Sequence, residues 1–313
     1  MRNTGAPTRA SRRVTVVEVG ARDGLQNEDA VVPTNAKIAF IDALSGAGLP
    51  VVEVTSFVSP RAVPQLADAE EVLRRIRRRP GVRCPVLVPN MRGMARAEAA
   101  SADAVAVFTA ASEAFNTANI GMSIDESLAA FEPVLERARD LGWWRRGYVS
   151  TAFGCPYSGR VDVRRVVEVS ASLVDLGCEE ISIGDTIGVA GPDDVRRVCE
   201  ALLTRLPVER VALHLHDTRG RALENVEAGL DLGITIFDAS AGGAGGCPFA
   251  PGAPGNLATE SLCRRLEALG YTHGVDVPAV EAAATELRRH LAAGDHRAPL
   301  RRGSNPSKRY PFW

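Results

Sequence analysis

His214 and His216 stand two apart in an apolar run, the spacing with the most chemical content in this 313-residue sequence. Residues at i and i+2 of a β-strand project to one face, so both imidazoles would enter one space, as paired metal ligands do. Two hydrogen-bonded interior histidines would give the same spacing, so the reading turns on nearby oxygen donors. Asp23, after the first β-rich run, and Asn256, after the last, supply them. Two imidazoles, a carboxylate and an amide carbonyl suit Mg²⁺ or Mn²⁺, and no thiolate joins them to favour zinc. Arg22 precedes Asp23 and is read in two ways: as stabiliser of an enolate oxygen, or as half of a structural salt bridge.

Lysine scarcity narrows the chemistry. The sequence holds two lysines, Lys37 and Lys308, and neither falls in a β-rich run, so a Schiff-base mechanism has no nucleophile. Carbon–carbon bond chemistry here would need a metal to polarise oxygen. The segment Gly242-Gly243-Ala244-Gly245-Gly246-Cys247-Pro248 reads as a closing lid, a phosphate cradle or a plain glycine linker. It carries Cys247, the cysteine read as functional, whereas Cys178, Cys199 and Cys263 fall in or beside helical stretches as small buried apolar residues.

The elements that must position these groups are legible as alternation. β-rich runs at 14–19, 51–57, 84–88, 104–109, 147–151, 180–184, 211–216 and 235–239 alternate with helical stretches such as 36–46, 67–78, 161–176 and 192–206. Eight strand–helix units predict an α/β fold, a TIM (β/α)8 barrel spanning residues 14–274. A disordered tail is expected at 1–13, and a helix with an Arg-rich tail at 275–313. Pro33 and Pro192 open helices, and Gly48, Gly142, Gly177 and Gly233 end them. Barrel chemistry collects at the carboxyl ends of the strands. There lie Arg22, Asp23, Glu53, Asn90, Ser112, Glu113, Asp185, His214, His216, Asp217, Asp238 and Ser240, which one site could gather.

Composition bounds the partners. With 45% hydrophobic and 24% charged residues and a net charge of −1, the chain reads as a soluble globule with no nucleic-acid role. No apolar run has bilayer length and the amino-terminal residues lack a secretory core, so no membrane association is expected. Six scattered cysteines without a C-x-x-C pair fit a reducing, cytoplasmic setting.

Read as motifs, Val17-Glu18-Val19-Gly20-Ala21-Arg22-Asp23-Gly24-Leu25-Gln26-Asn27-Glu28 resembles the opening of the 3-hydroxy-3-methylglutaryl-CoA lyases. Thr55-Ser56-Phe57-Val58-Ser59-Pro60, Gly154-Cys155-Pro156-Tyr157, Gly184-Asp185-Thr186-Ile187-Gly188, His214-Leu215-His216-Asp217-Thr218 and Gly245-Gly246-Cys247-Pro248 follow in the family's order. The resemblance covers about residues 14–274. It implies Asp23, His214, His216 and Asn256 as ligands of a divalent cation, Arg22 as enolate stabiliser, Glu53 as a carboxylate supporting proton transfer, and Cys247 as a mobile-loop acid/base. It further implies an acyl-CoA substrate, an acyl pocket lined by Gln26, Tyr157, Ser182 and Asp185, and a homodimer. Thr151 departs from the pattern, since many members carry cysteine there beside the acyl pocket.

Arg-Asp-Gly and H-x-H-D-T also occur in isopropylmalate and citramalate synthases, which keeps a condensing acyltransferase as an alternative, as is a lyase for another branched 3-hydroxyacyl-CoA. The synthases usually add a further C-terminal domain, for which the residues after Gly274 leave little room. A barrel reduced to ligand binding or scaffolding is opposed by Arg22, Asp23, His214, His216, Cys247 and Asn256 all standing in their motifs.

Overall fold

The computed structural model describes residues 13–246 and 255–293. The β-branched runs form β1 (Thr15–Glu18), β2 (Val51–Val52), β3 (Thr55–Ser56), β4 (Val86–Leu87), β5 (Ala104–Ala110), β6 (Trp144–Ser150), β7 (Glu180–Asp185), β8 (Val211–Leu215) and β9 (Ile236–Ala239). All pair in parallel, in the order β2-β1-β9-β8-β7-β6-β5-β4-β3.

The two ends of that order are halves of one barrel strand. β2 pairs with β1 and β3 with β4, while Glu53 N–H reaches Glu18 O at 2.8 Å and Val54 N–H reaches Pro85 O at 3.0 Å. The second predicted strand therefore breaks at Glu53 and Val54, passes from one neighbour to the other, and closes the ring of eight expected of a TIM barrel. β6 starts at Trp144, three residues before its predicted start. Trp144, Arg146 and Tyr148 keep the two-residue alternation that the adjacent arginines obscure.

Around the ring lie α1 (Thr34–Gly46), α2 (Ala69–Arg75), α3 (Met91–Ala99), α4 (Glu113–Ile120), α5 (Ile124–Asp140), α6 (Val163–Asp175), α7 (Pro192–Leu203), α8 (Ala222–Asp231), α9 (Thr259–Ala268) and α10 (Val277–Ala293), the last packed on α1 and α9. Among the described residues no helix is long and apolar enough to cross a membrane. Outward strand residues such as Val105, Val107, Ile181, Ile183, Leu213 and Phe237 join the helices in one apolar core. The inward face divides. Its base is apolar, with Val17, Val51, Ala212 and Ile236 against Trp144, and Leu87 and Ala106 against Tyr148. Above that base it turns polar, with Glu53, Arg146, Glu180, Ser182 and Asp238 all buried.

Glu18 fastens two loops above the sheet. Its Oε1 accepts from Gly20 N–H at 2.8 Å and Ala241 N–H at 2.9 Å, and its Oε2 accepts from Thr259 Oγ1 at 2.6 Å. Burial raises its pKa to about 7 against those three donors, with Glu260 adding repulsion. Gly48 ends the α1 turn at φ +84°, where a Cβ would overlap the Gly274 carbonyl oxygen.

Gly48→Ala is expected to cost about 1–3 kcal/mol in urea denaturation, more than Gly81→Ala at the similar φ of +82° with open space around it. Equal losses would show that the close approach to Gly274 contributes nothing. Because the folded pKa of Glu18 lies above its unfolded value, stability falls as pH rises from 4.5 to about 7. Glu18→Gln should flatten that decline by roughly 3 kcal/mol, and parallel pH profiles for the two proteins would refute the account.

Candidate metal centre

The chain leaves β1 through a π-helical turn, Gly20–Gly24, in which Asp23 N–H and Gly24 N–H both reach Val19 O, at 2.7 and 3.2 Å. Such turns recur at functional sites. This one is locally required, since a Cβ at Gly20 would stand 2.7 Å from Glu18 Oε1. It delivers Arg22 and Asp23 to the mouth of the lumen. Two strands round the ring, beyond β9, β8 presents His214, and His216 follows just past its end, paired by an isolated bridge to Asn256.

Asp23, His214 and His216 offer ligand atoms within 4.8 Å of one another. The two Nε2 atoms face each other at 3.1 Å, and His214 Nε2 lies 3.9 Å from Asp23 Oδ2. Two cis ligands of one octahedral cation, with bonds of about 2.1 Å, stand about 3.0 Å apart, so the spacing fits a shared hard cation. His216 Nδ1, on the far side of the ring from the cluster, is buried and has no hydrogen-bond partner among the described residues. Burial, then the charge of His214, pushes the His216 pKa down to about 4, keeping that imidazole neutral and able to ligate. Burial also opposes charge on His214, but Asp238 and Asp23 outweigh it and raise its pKa. Burial would raise Asp23 as well, yet Arg22 and the histidines bring it to about 2.

Asn256 enters as a donor, its Nδ2 reaching Asp23 Oδ2 at 2.9 Å and Ala244 O at 3.1 Å. Both partners are acceptors, so the amide nitrogen must face them, and Oδ1 is the atom that remains to ligate.

Arg22 resolves the two sequence readings by satisfying both. Its Nη1 pairs with Asp23 Oδ1 at 2.8 Å and its Nε with Glu53 Oε2 at 2.7 Å, which leaves Nη2 outside these pairs. The guanidinium also lies 5.2 Å from the Tyr148 ring centroid. Glu53 is fully buried, accepts from Tyr148 OH at 3.0 Å, and its Oε1 has no partner among the described residues. Burial raises its pKa against the pull of Arg22.

Deeper in the lumen, Arg146 meets Glu180 Oε1 at 2.7 Å and Asp238 Oδ1 at 2.5 Å. Each of the two buried guanidiniums thus faces two carboxylates, a surplus of negative charge that favours a divalent cation.

The other anticipated residues scatter. Gln26 follows the π-turn with a buried Oε1 that has no partner among the described residues. Ser182 lies inside the lumen and donates to Asp238 Oδ2 at 2.8 Å. Asp185 shares its strand face with Ile181 and Ile183, and its carboxylate receives Val189 and Ala190 N–H at 3.0 and 2.9 Å, so it fastens the loop after β7. Tyr157 stands 58% exposed at the rim.

The gathering of every strand-end polar group into one site does not hold. Asn90 and Ser112 cap α3 and α4, Asp217 receives Ala222 N–H, and Glu113 pairs outward with Arg165. Short polar side chains at strand ends serve helix starts as readily as chemistry. Lys37 belongs to α1, paired with Asp68, clear of every strand.

Cys247 and Lys308 lie outside the described residues. The attachment of the loop that carries Cys247 is described. Gly245, at φ +91°, leaves no room for a Cβ, which would stand 2.7 Å from Gly24 Cα and 3.0 Å from Asn256 Nδ2, and Gly245 N–H reaches Glu28 Oε1 at 2.8 Å.

Sequence reasoning assigned no role to Arg146, Tyr148 or Glu180, and left Asp238 as one strand-end acid among many. Period-two alternation of Trp144, Arg146 and Tyr148 was the available signal, hidden within Trp143-Trp144-Arg145-Arg146.

Comparison with known proteins agrees with this geometry. Residues 13–286 match the family model described as HMGL-like. A mitochondrial hydroxymethylglutaryl-CoA lyase of Bos taurus is 53% identical over 266 residues, 85% of this chain and 82% of its own. The cytoplasmic 3-hydroxy-3-methylglutaryl-CoA lyase of Homo sapiens is 51% identical over 84% of this chain and 71% of its own. Among solved structures, the HMG-CoA lyase from Brucella melitensis superposes with a TM-score of 0.88 at 48% identity, covering 90% of this chain and 99% of that one. An HMG-CoA lyase from A. baumannii, in complex with coenzyme A and 3-methylmalate, gives 0.86 at 37% identity over 98% and 99% of the two chains. With the family model spanning nearly all of the described barrel and relatives at half identity over most of their length, the chain belongs to the HMGL-like family.

Proposed function

We propose that this lyase cleaves 3-hydroxy-3-methylglutaryl-CoA to acetyl-CoA and acetoacetate, with Mg²⁺ or Mn²⁺ held by Asp23, His214, His216 and Asn256. The observation that carries the proposal is the Asp23–His214–His216 cluster set against the buried Arg22–Glu53 pair, in a chain of this family. When bound, the cation supplies Lewis-acid polarisation of the substrate's hydroxyl and carboxylate oxygens.

The reaction is a retro-Claisen cleavage. A base takes the tertiary hydroxyl proton, the C–O bond becomes a carbonyl, and the electrons of the breaking C–C bond pass into the enolate of acetyl-CoA. Arg22 meets that enolate oxygen, with Nε and Nη1 locked by Glu53 and Asp23 so that little reorganisation accompanies charge development. Glu53, its proton affinity raised by burial and its Oε1 without a partner among the described residues, supports proton transfer beside Arg22. Protonation of the enolate carbon falls to Cys247, carried two residues beyond the Gly245 anchor at the metal cluster. Gln26, Tyr157, Ser182 and Asp185 belong to the acyl pocket in this reading, Ser182 and Asp185 through the side chains and loop they hold in place.

A cytosolic, homodimeric enzyme completes the proposal, supported by the family likeness and by the five cysteines among the described residues, all buried and unpaired. Thr151, where many relatives place cysteine, favours one second reading: a lyase for a different branched 3-hydroxyacyl-CoA. Its backbone sits at φ +56° and its Oγ1 turns back to Ser150 O, so it offers the pocket no thiol.

A coupled assay for acetyl-CoA release tests the proposal. Turnover of 3-hydroxy-3-methylglutaryl-CoA should vanish with EDTA, return with Mg²⁺ or Mn²⁺, and fall about 10²–10⁴-fold in kcat for Cys247→Ala. Cleavage indifferent to EDTA would exclude the cation role. Metal-dependent cleavage of another branched thioester in its place would favour the second reading.

A further inference from the structure

His214 is aimed by a carboxylate that lies beneath the proposed reaction space. Asp238, on β9 and 2% exposed, accepts at Oδ2 from Ser182 Oγ at 2.8 Å and Arg146 Nη1 at 3.3 Å, and at Oδ1 from Arg146 Nη2 at 2.5 Å. His214 Nδ1 lies 3.2 Å from the same Oδ2. Arg146 has no acceptor atom and is itself pinned by Glu180 and by Tyr148 OH, so it fixes which way the carboxylate lies. An ionised carboxylate can only accept, so Nδ1 of His214 carries the ring proton. The Nε2 lone pair then points toward His216 and Asp23. Among the described residues His216 has no such holder, since none of them partners its Nδ1.

We infer that Asp238 is the positioning residue of the metal centre: held by Arg146 and Ser182, it selects the His214 tautomer and ring orientation that free Nε2 for a cation. The inference rests on His214 being a ligand. Outer partners of metal-bound imidazoles act in this way generally. Arg146 serves the other half of the site as well. Its Nη1 donates to Tyr148 OH, which donates to Glu53, which holds Arg22. One buried guanidinium therefore supports two branches, and substitutions can separate them.

Asp238→Asn is the separating variant. Arg146 makes its closer contact, 2.5 Å from Nη2, at Oδ1, which keeps the amide oxygen there and turns the amide nitrogen to His214 at the cost of the longer 3.3 Å contact from Nη1; that nitrogen donates to Nδ1 and drives the ring proton to Nε2, while Ser182 can turn its hydroxyl to accept. Because Asp238 and Asp23 favour the charged ring, ¹⁵N imidazole spectra of the cation-free, full-length protein are recorded at a pH high enough to leave His214 neutral, and should show its proton at Nδ1 in the wild type and at Nε2 in the variant. Mn²⁺ titration by calorimetry should show affinity lower by about 10–100-fold. Tyr148→Phe breaks the link to Glu53 and takes one of the two pins from Arg146, which keeps Glu180 and both Asp238 oxygens; the variant should therefore keep both the tautomer and the Mn²⁺ affinity of the wild type.

A folded Asp238→Asn protein with unchanged Mn²⁺ affinity would overturn the inference, as would a wild-type spectrum with the proton on Nε2. The wild-type spectrum needs no variant and so decides even if Asp238→Asn fails to fold. If the wild type binds Mn²⁺ and the variant loses affinity while 3-hydroxy-3-methylglutaryl-CoA is not cleaved, the substrate reading fails and the positioning role stands. If the wild type binds no Mn²⁺, the metal centre itself is wrong and the inference falls with it.

Discussion

A fully buried guanidinium inside the barrel is the constraint on which the rest of the structure depends. Arg146 has no solvent contact, and an unpaired charge there would be prohibitive. Its pairing with Glu180 and Asp238 accounts for much of the lumen. Its register partner on β5 is the small Ala106, and on β7 it is Glu180 itself. A TIM-barrel interior is ordinarily filled by layers of Val, Ile and Leu. Here the apolar filling stops near the base and a charged layer takes over, so the groups proposed for chemistry rest on side chains that are themselves held by ion pairs.

That arrangement divides the work between strands and loops. The barrel wall supplies the fixed backing, Asp238 behind His214 and Glu53 behind Arg22. The loops supply what must approach and leave. Glu18 couples the two sets by joining the π-turn after β1 to the loop after β9 and to the first residue of α9. Its carboxylate takes no part in the proposed reaction, yet the position of Asp23 depends on a turn whose first residue it holds.

The barrel was legible in the sequence because its eight β-rich runs alternate with helices of clear period. His214, His216, Arg22 and Asp23 were legible because each sits at a strand end or at a strand spacing with few structural meanings. The split of the second strand was not, since residues 51–57 read as one apolar run and only its two neighbours reveal that Glu53 and Val54 switch between them. Arg146 escaped because an arginine next to other arginines reads as surface, and burial is a property of the closed ring. Asn90, Ser112 and Asp217 were misread in the opposite direction: a polar residue after a strand is also a residue before a helix, and local sequence does not say which role governs.

In the loop after β9, Gly245 and Gly255 abut so closely that a methyl group on Gly255 would overlap the Gly245 carbonyl. The intervening segment therefore departs and returns through a single point, already fastened to Glu28, Gly24 and Asn256. Arg146, Glu180 and Asp238 all lie outside that segment, so the ion pairs of the lumen are made without any residue between the two glycines.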